Sequence, residues 1–310
     1  MPIVSATINK PAIVVESPDW SEYALLDSGA RLKLERFGNR VLVRSEPKAW
    51  WPPALPVARW READAAFEDE GKEARWRFYS KDPSPWEVVL DGTIRLQARF
   101  TESSKHVGFF PEQQPHWAWI KSQGARLHRN GGKRRRLLNL FGYTGVASLV
   151  AAKAGFEVTH VDASKPAVTW GRDNQARSGM TDAPIRWIIE DVVKYVKREI
   201  RRGARYDALL LDPPSFGRGP NREMWKADAQ LMPLLEDCRV LLGDQPELVL
   251  MTLYSLDISA LCAGNLLRVM LGAEAAQGDL ATGELVVKPE SGQSLLPLSL
   301  YARWSRQPSD

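Results

Sequence analysis

The chain has 310 residues, of which 44 % are hydrophobic and 26 % charged. That composition is ordinary for a globular chain and argues against disorder, and the length suits a large domain plus a smaller one. The formal net charge is +4, which permits an anionic partner such as nucleic acid without requiring one. No apolar run reaches the ~20 residues a bilayer span needs. The N-terminus has no basic stretch followed by an uninterrupted apolar one, so no secretory signal is read there. The two cysteines, Cys238 and Cys262, are too few for a disulfide framework or a metal cluster. A cytoplasmic protein without a membrane partner is expected; its oligomeric state is left open.

Residues 1–104 read as a small β-rich domain. Prolines and aromatic residues break any helical period, as in "AWWPPALP" (Ala49 to Pro56). Two hairpins stand out. Apolar residues alternate across Ala30–Arg44 on either side of Gly38-Asn39, and again across Trp86–Phe100 around Asp91-Gly92.

Residues 105–310 read as a second domain, in which short apolar runs alternate with helical patterns. The runs are "RRLLNLF", "FEVTHVDAS", "IRWIIED", "YDALLLDPP" and "ELVLMTLYS". Between them lie "TGVASLVAAKAG", "KPAVTWGRDNQARSG", "VVKYVKREIRRG" and "EMWKADAQLMPLLEDCRVLL", and "DISALCAGNLLRVML" follows the last. Such alternation predicts a mostly parallel sheet covered on both faces. The end, "GELVVKP" and "LPLSLYARW", breaks the alternation and predicts a closing antiparallel hairpin. The fold class is therefore α/β, Rossmann-like, preceded by the β-rich domain.

Open α/β sheets bind ligands beyond the carboxyl ends of their strands, so the residues there are the candidates. The first strand ends in Asn139-Leu-Phe-Gly142-Tyr-Thr-Gly145, where the glycines permit a tight turn and close backbone approach. The second ends in Asp162, twenty residues past Gly142, a spacing that suits an acceptor for ribose hydroxyls. The third ends in Glu190-Asp191, where a base edge would sit, and the fourth in Asp212. Each piece alone has a plainer reading: a turn, or a cap on the following helix at Asp162 or Asp191. Four in the right order point to a nucleoside-containing cofactor. The turn lacks one glycine of G-x-G-x-x-G and places bulky Tyr143 between the other two, which disfavours a dinucleotide. A polar turn with no phosphate cradle suits S-adenosyl-L-methionine.

The segments "LNLFGYTGVASL", "HVDASKPAVTWGRDN", "IIEDVVKYVKRE" and "YDALLLDPPSFGRG" closely resemble class I S-adenosylmethionine-dependent methyltransferases that modify large-subunit ribosomal RNA, of cytosine-5 and guanine type. "HVGFFPEQ" (His106 to Gln113) also resembles a segment that packs over the cofactor in that family, which brings in Phe110. The resemblance covers roughly residues 105–260. It implies that Asn139 and the turn Phe141, Gly142, Tyr143, Thr144 and Gly145 line the methionine part of the cofactor. It implies that Asp162 binds the ribose, with Ala163 on the adenine and Ser164 beside them, and that Asp191 with Val192 meets the adenine amino group. Asp212 to Phe216 would face the methyl group and the incoming base, Asp212 counting toward both cofactor and catalysis. Phe216 would stack on a flipped base.

One departure matters. The family's cytosine enzymes attack carbon 6 with a cysteine thiolate just after the fifth strand. Here that slot holds Tyr254-Ser255, and Cys238 and Cys262 fall in apolar helical stretches that read as packing. The acceptor is then expected to be a nitrogen with its own lone pair. Asp212 and the Pro213 carbonyl would orient it, because two prolines fix the turn and remove two backbone donors.

The runs Lys133–Arg136 and Lys194–Arg205 read either as solvated faces or as a phosphate track. Arg218, Arg222 and Lys226, directly after the Asp-Pro-Pro turn, are placed to grip phosphates of an RNA substrate, and Trp225 either stacks or packs. Trp50, Trp51 and Trp60 read as packing residues. The expected function is methylation of a ribosomal RNA base. The alternatives are a methyltransferase for a small molecule or protein, and a non-catalytic RNA-binding or assembly module.

Overall fold

The structure is a computed structural model that describes residues 13–70, 73–80, 82–102, 104–128, 133–218, 224–292 and 294–307. In chain order the elements begin with β1 (Ile13–Glu16), β2 (Tyr23–Gly29), β3 (Leu32–Phe37), β4 (Arg40–Ser45), α1 (Val57–Trp60), β5 (Ala65–Glu70) and β6 (Glu73–Phe78). Then come β7 (Trp86–Leu90), β8 (Ile94–Ala98), a 3-10 turn at Pro111–Gln113 and α2 (Gln114–His128). The alternating part runs β9 (Arg136–Leu140), α3 (Val146–Lys153), β10 (Glu157–Asp162), α4 (Lys165–Arg177), β11 (Ile185–Ile189), α5 (Val192–Arg201) and β12 (Ala208–Leu211). It continues with β13 (Phe216–Arg218), β14 (Met224–Lys226), α6 (Ala227–Leu241), β15 (Leu248–Leu253), α7 (Ala260–Leu271), β16 (Gly278–Val287) and β17 (Leu296–Arg306).

The large sheet has the order β1-β16-β17-β15-β12-β9-β10-β11. Strands β9 to β12 and β15 are mutually parallel, whereas β17 runs antiparallel to both β15 and β16. The expected mostly parallel sheet and closing hairpin are present. Ala-Leu-Leu-Leu of β12 and Leu-Val-Leu-Met-Thr-Leu of β15 are buried throughout, as a parallel strand covered on both faces must be. From β9 the chain proceeds outward through β10 and β11, then returns to place β12 on the other side of β9. The sheet's switch point therefore lies between β9 and β12, where open α/β sheets form their ligand crevice.

The N-terminal region supplies a five-stranded sheet β2-β3-β4-β5-β6 and the hairpin β7-β8, in keeping with a β-rich start. The turns fall at Gly38-Asn39 and from Asp91, as the alternation indicated. Strand β1 lies outside that group and pairs parallel with β16 in the large sheet. Trp86 and Trp20 anchor the packing: their indole N–H groups donate to the Phe37 and Val89 carbonyls at 2.9 and 2.8 Å. Buried Trp and Tyr need such partners.

Two local readings are corrected. Glu223-Met-Trp was expected to open the helix before β15, but Met224–Lys226 is a strand paired antiparallel with Phe216–Arg218, and the helix starts at Ala227. The two strands pair as a hairpin, which the helical period of the following residues does not reveal. Asp257–Ser259 also precedes its helix: Ser259 is the N-cap, its side chain accepting from the Cys262 N–H.

Candidate functional site: a cavity over the switch point

A cavity of about 730 Å³ opens above the carboxyl ends of β9, β10, β11 and β12. One wall is the large sheet's strand ends and the other is the face of β3 and β4 with the residues after them. Phe110, Phe141, Tyr143, Asp162, Ala163, Ser164, Asp191, Val192, Asp212 and Pro213 all line it. Four strand ends spread over some seventy residues are thus gathered at one site.

The turn after β9 is backbone under tension. Phe141 and Tyr143 hold φ of 57° and 51°, and Gly145 holds 77°. Left-handed backbone at non-glycine residues costs about 1–3 kcal/mol each and persists only where the surroundings enforce it. The enforcement is visible. The Gly142 N–H donates to Val161 O at 3.1 Å, the Tyr143 N–H to Asp162 Oδ2 at 2.8 Å, and the Thr144 hydroxyl to Gly108 O. Glycine is required at both points of the turn: a Cβ on Gly142 would sit 2.4 Å from the His160 ring, and one on Gly145 would sit 2.5 Å from Trp187. Gly142, Thr144 and Gly145 thus shape the turn from behind. Asn139 also lies behind it, buried, with its amide donating to Ser148 Oγ at 2.9 Å.

Asp162 carries two backbone bonds, since Oδ1 accepts from the Ser164 N–H at 2.8 Å and Oδ2 from Tyr143. Burial pushes its carboxyl up, and the two N–H donors oppose that shift. Ser164 caps α4 through its side chain, and Asp191 caps α5, accepting from the Lys194 N–H at 2.9 Å. Capping and facing the cavity coexist at both positions.

Asp212 is held at both oxygens. The Thr252 hydroxyl donates to Oδ1 at 2.9 Å and Gln113 Nε2 to Oδ2 at 3.3 Å. Gln113 Nε2 also lies 3.1 Å from the Tyr254 hydroxyl, which donates to Glu112 Oε1 at 3.2 Å. Burial pushes the Asp212 carboxyl up to about 7; the Thr252 bond opposes this, and the charges of Glu112 and Asp162 add to it. Gln113, Thr252 and Glu112 are residues that sequence reasoning did not single out. Tyr254, noted only as filling the cysteine slot, lines the cavity.

The Asp-Pro-Pro turn is locked from the far side. Trp225 is buried, its indole N–H donates to Pro214 O at 2.6 Å, and its ring lies 5.0 Å from that of Phe141. Packing, not stacking on a substrate, is what Trp225 does here. Pro213, Pro214, Ser215 and Gly217 line the cavity, whereas Phe216 does not and leaves its ring half-exposed beside it. The two-residue alternation of β13 accounts for that. Lys226 is exposed at the end of β14. The backbone of Arg218 belongs to β13, and Arg222 lies outside the described residues.

The opposite wall was not foreseen. Lys33, Arg44, Glu46 and Lys48 line the cavity from the N-terminal region, joined by Lys105 and by His106, the first residue of the segment expected over the cofactor. Buried Arg44 grips Glu35 through Nε at 2.7 Å and Nη2 at 2.8 Å, and Lys33 stands 3.4 Å from the same carboxylate. Glu35 is buried, which alone would raise its carboxyl; Arg44 and Lys33 outweigh that and hold it at about 2. Burial and the neighbouring cations push His106 down to about 3, so its ring is neutral at pH 7.

The run Lys133–Arg136 ends, and the run Lys194–Arg205 finishes, at the end of the sheet opposite the cavity, where β9 and β12 begin. Arg136 opens β9, donating to Arg205 O at 2.7 Å, and Arg135 pairs with Glu247 at 2.9 Å. Arg198 of α5 and Arg202, its C-cap, pair with Glu190 and Glu199. Neither cysteine lines the cavity: Cys238 is a buried residue of α6, where burial pushes its thiol up, and Cys262 sits in the first turn of α7.

Comparison with known proteins agrees with this geometry. The family model for S-adenosylmethionine-dependent methyltransferases matches residues 73–249. A solved S-adenosylmethionine-dependent methyltransferase from Agrobacterium tumefaciens is 42 % identical with a TM-score of 0.87, over 96 % of this chain and 94 % of that one. Ribosomal RNA large subunit methyltransferase K/L of Pseudoalteromonas translucida is 38 % identical over 92 residues, 29 % of this chain and 13 % of the relative. Ribosomal RNA large subunit methyltransferase I of Shewanella denitrificans is 39 % identical over 130 residues, 42 % of this chain and 30 % of the relative. The chain thus spans less than a third of the length of these two curated relatives. With the family model matching more than half of it, the chain belongs to the S-adenosylmethionine-dependent methyltransferase family.

Proposed function

We propose that this methyltransferase acts on a base of RNA, of the ribosomal large subunit, and that the acceptor atom is a nitrogen. The observation that carries the reading is the make-up of the cavity. Asp212 is fixed at both carboxylate oxygens beside the Pro213-Pro214 turn, and no cysteine is among the lining residues. Carbon 5 of cytosine is a poor nucleophile without a thiolate at carbon 6, whereas an amino or ring nitrogen brings its own electron pair.

The residues fit S-adenosylmethionine. Carboxylates at the second and third strand ends supply acceptors for ribose hydroxyls and an amino group, and the first turn offers no phosphate cradle. Asp162 would hold the ribose, with Ala163, Ser164 and Val192 around the adenine and Asp191 toward its amino group. Phe110, Phe141 and Tyr143 would cover the methionine part, with Asn139, Gly142, Thr144 and Gly145 shaping that turn. When bound, the cofactor supplies an electrophilic methyl group on a sulfonium sulfur. Asp212 and the Pro213 carbonyl would accept from the acceptor's N–H groups and so aim its lone pair. Catalysis of this kind is mainly positioning. Phe216 and Lys226, exposed beside the cavity, would contact RNA, the ring by stacking and the cation at a phosphate, and the sequence neighbours Arg218 and Arg222 would add phosphate contacts.

The likeness to two ribosomal RNA methyltransferases supports the substrate class. Mapping ribosomal RNA modifications in cells with and without this protein tests it. A single base modification should disappear in its absence; a complete, unchanged set of modifications would overturn the reading.

A further inference from the structure

Trp50 stands apart from its neighbours. Trp20, Trp76 and Trp86 are buried and Trp51 and Trp60 half-buried, but Trp50 leaves 77 % of its surface exposed. The reading of Trp50 as a packing residue is corrected by that exposure. The ring is nonetheless fixed. Its indole N–H donates to Pro47 O at 2.7 Å, and its backbone N–H to Lys48 O at 3.0 Å. Arg31 Nη1 reaches the same Pro47 carbonyl at 3.4 Å, which places its guanidinium carbon 5.4 Å from the Trp50 ring centroid.

The backbone beneath is stitched together. The Ala30 N–H donates to Trp51 O, the Arg31 N–H to Ala49 O and the Glu46 N–H to Arg31 O, each at 2.7 Å. Ala30 and Arg31 take left-handed φ of 49° and 64°, a conformation that a loose loop would relax. A rigid, exposed indole carrying a guanidinium is a stacking surface with little ordering entropy left to lose.

Its position gives it a use. Pro47 and Lys48 line the same cavity as Pro213, Pro214 and Ser215. Trp50 therefore stands two residues along the chain from a cavity-lining residue, Lys48, whose Nζ donates to a carbonyl, Leu298 O, at 2.7 Å. Among the described residues neither Arg31 nor Lys48 is paired with a carboxylate. An aromatic face flanked by two uncompensated cations matches a base flanked by phosphates.

We propose that Arg31, Lys48 and Trp50 form a docking ridge for single-stranded RNA, holding the nucleotide next to the one that enters the cavity. Trp50 stacks on its base, and Arg31 and Lys48 take the adjoining phosphates. The proposal rests on the RNA reading above.

The test is binding of a fluorescent ten-nucleotide oligoadenylate, measured by anisotropy, with S-adenosylhomocysteine binding by calorimetry as a control. Trp50→Ala should weaken RNA binding by about 5- to 150-fold, the range for losing one base stack. Trp50→Tyr should restore most of it, and both should bind S-adenosylhomocysteine as the parent chain does. The double variant Arg31→Met, Lys48→Met should lower the slope of log affinity against log salt by about 1.4, for two phosphates on a single strand. Measurable binding by the parent chain that Trp50→Ala leaves unchanged overturns the ridge but not the RNA reading. No binding by the parent chain at low salt overturns the RNA reading, and the ridge with it.

Discussion

Gln113 Nε2 lies 3.3 Å from Asp212 Oδ2, across 99 residues of sequence, while the Thr252 hydroxyl holds the other carboxylate oxygen at 2.9 Å. The carboxylate at the heart of the cavity is therefore oriented by two side chains from different elements. Gln113→Leu should free that carboxylate without removing it. A misplacement on the order of 1 Å costs about 100-fold in rate, so kcat should fall about 10- to 100-fold with little change in cofactor affinity. Steady-state kinetics with separate cofactor titration checks this; an unchanged kcat would show the bond to be incidental.

The pH dependence follows from the raised Asp212 carboxyl. Its value of about 7 in the folded chain exceeds the ordinary 3.8, so the folded state binds the extra proton between those values. Stability from this group is therefore present at acid pH and declines as pH rises from about 4 to about 7. Asp212→Asn should melt higher than the parent chain above pH 7, by on the order of a few kcal/mol, with the gap closing toward pH 4. Activity should show the opposite trend, rising through about pH 7, because only the ionised carboxylate accepts from an amino group without donating. Melting curves and kcat/KM profiles between pH 5 and 9 measure both; two flat profiles would contradict the assignment.

Asp162 serves the turn as well as the cavity. Asp162→Ala removes the acceptors for the Tyr143 and Ser164 N–H groups, and with them the group proposed to hold the ribose. Cofactor affinity measured by calorimetry should drop by about 1.5–3 kcal/mol, the worth of a charged hydrogen bond. Asp162→Asn should keep part of the turn and lose less. Equal affinities for the alanine variant and the parent chain would exclude the ribose role.

The buried pair of Arg44 and Glu35 holds the N-terminal wall. Glu35→Leu leaves Arg44 buried without its carboxylate, a change that costs about 3–5 kcal/mol in known cases. Because Glu35 is held at about 2, below the unfolded value, its contribution is complete above about pH 4.5 and fades as pH falls toward 2. Urea unfolding at pH 7 and pH 3 should show a smaller difference between variant and parent chain at the lower pH. A constant difference would mean that the pair does not stabilise through charge.

Much of the cavity's lining was legible because it is local. A β strand followed by a turn and a capped helix is written in one stretch, so Gly142, Asp162, Asp191 and Asp212 were found by asking what ends each strand. Gln113 and Thr252 were not, because their meaning lies in a contact with Asp212 that no short window contains. The charged wall of Lys33, Glu35 and Arg44 was missed for another reason. Charges alternating in a strand signal a solvated face, yet here that face is buried against the cavity and neutralised by pairing. The strand at Met224–Lys226 was read as helix because its partner, Phe216–Arg218, is needed to see it. Trp50 was read as packing because composition does not distinguish a buried ring from one that a single carbonyl pins at the surface.

The most direct measurement is transfer of a labelled methyl group from S-adenosylmethionine to ribosomal RNA isolated from cells that lack this protein. The parent chain should label one nucleoside, at a nitrogen, as read by mass spectrometry of the digest. The double variant Cys238→Ala, Cys262→Ala should label it at the same rate, and Asp212→Ala should not label it. Label at carbon 5 of cytosine that vanishes with the cysteines, or no label in RNA at all, would contradict the account.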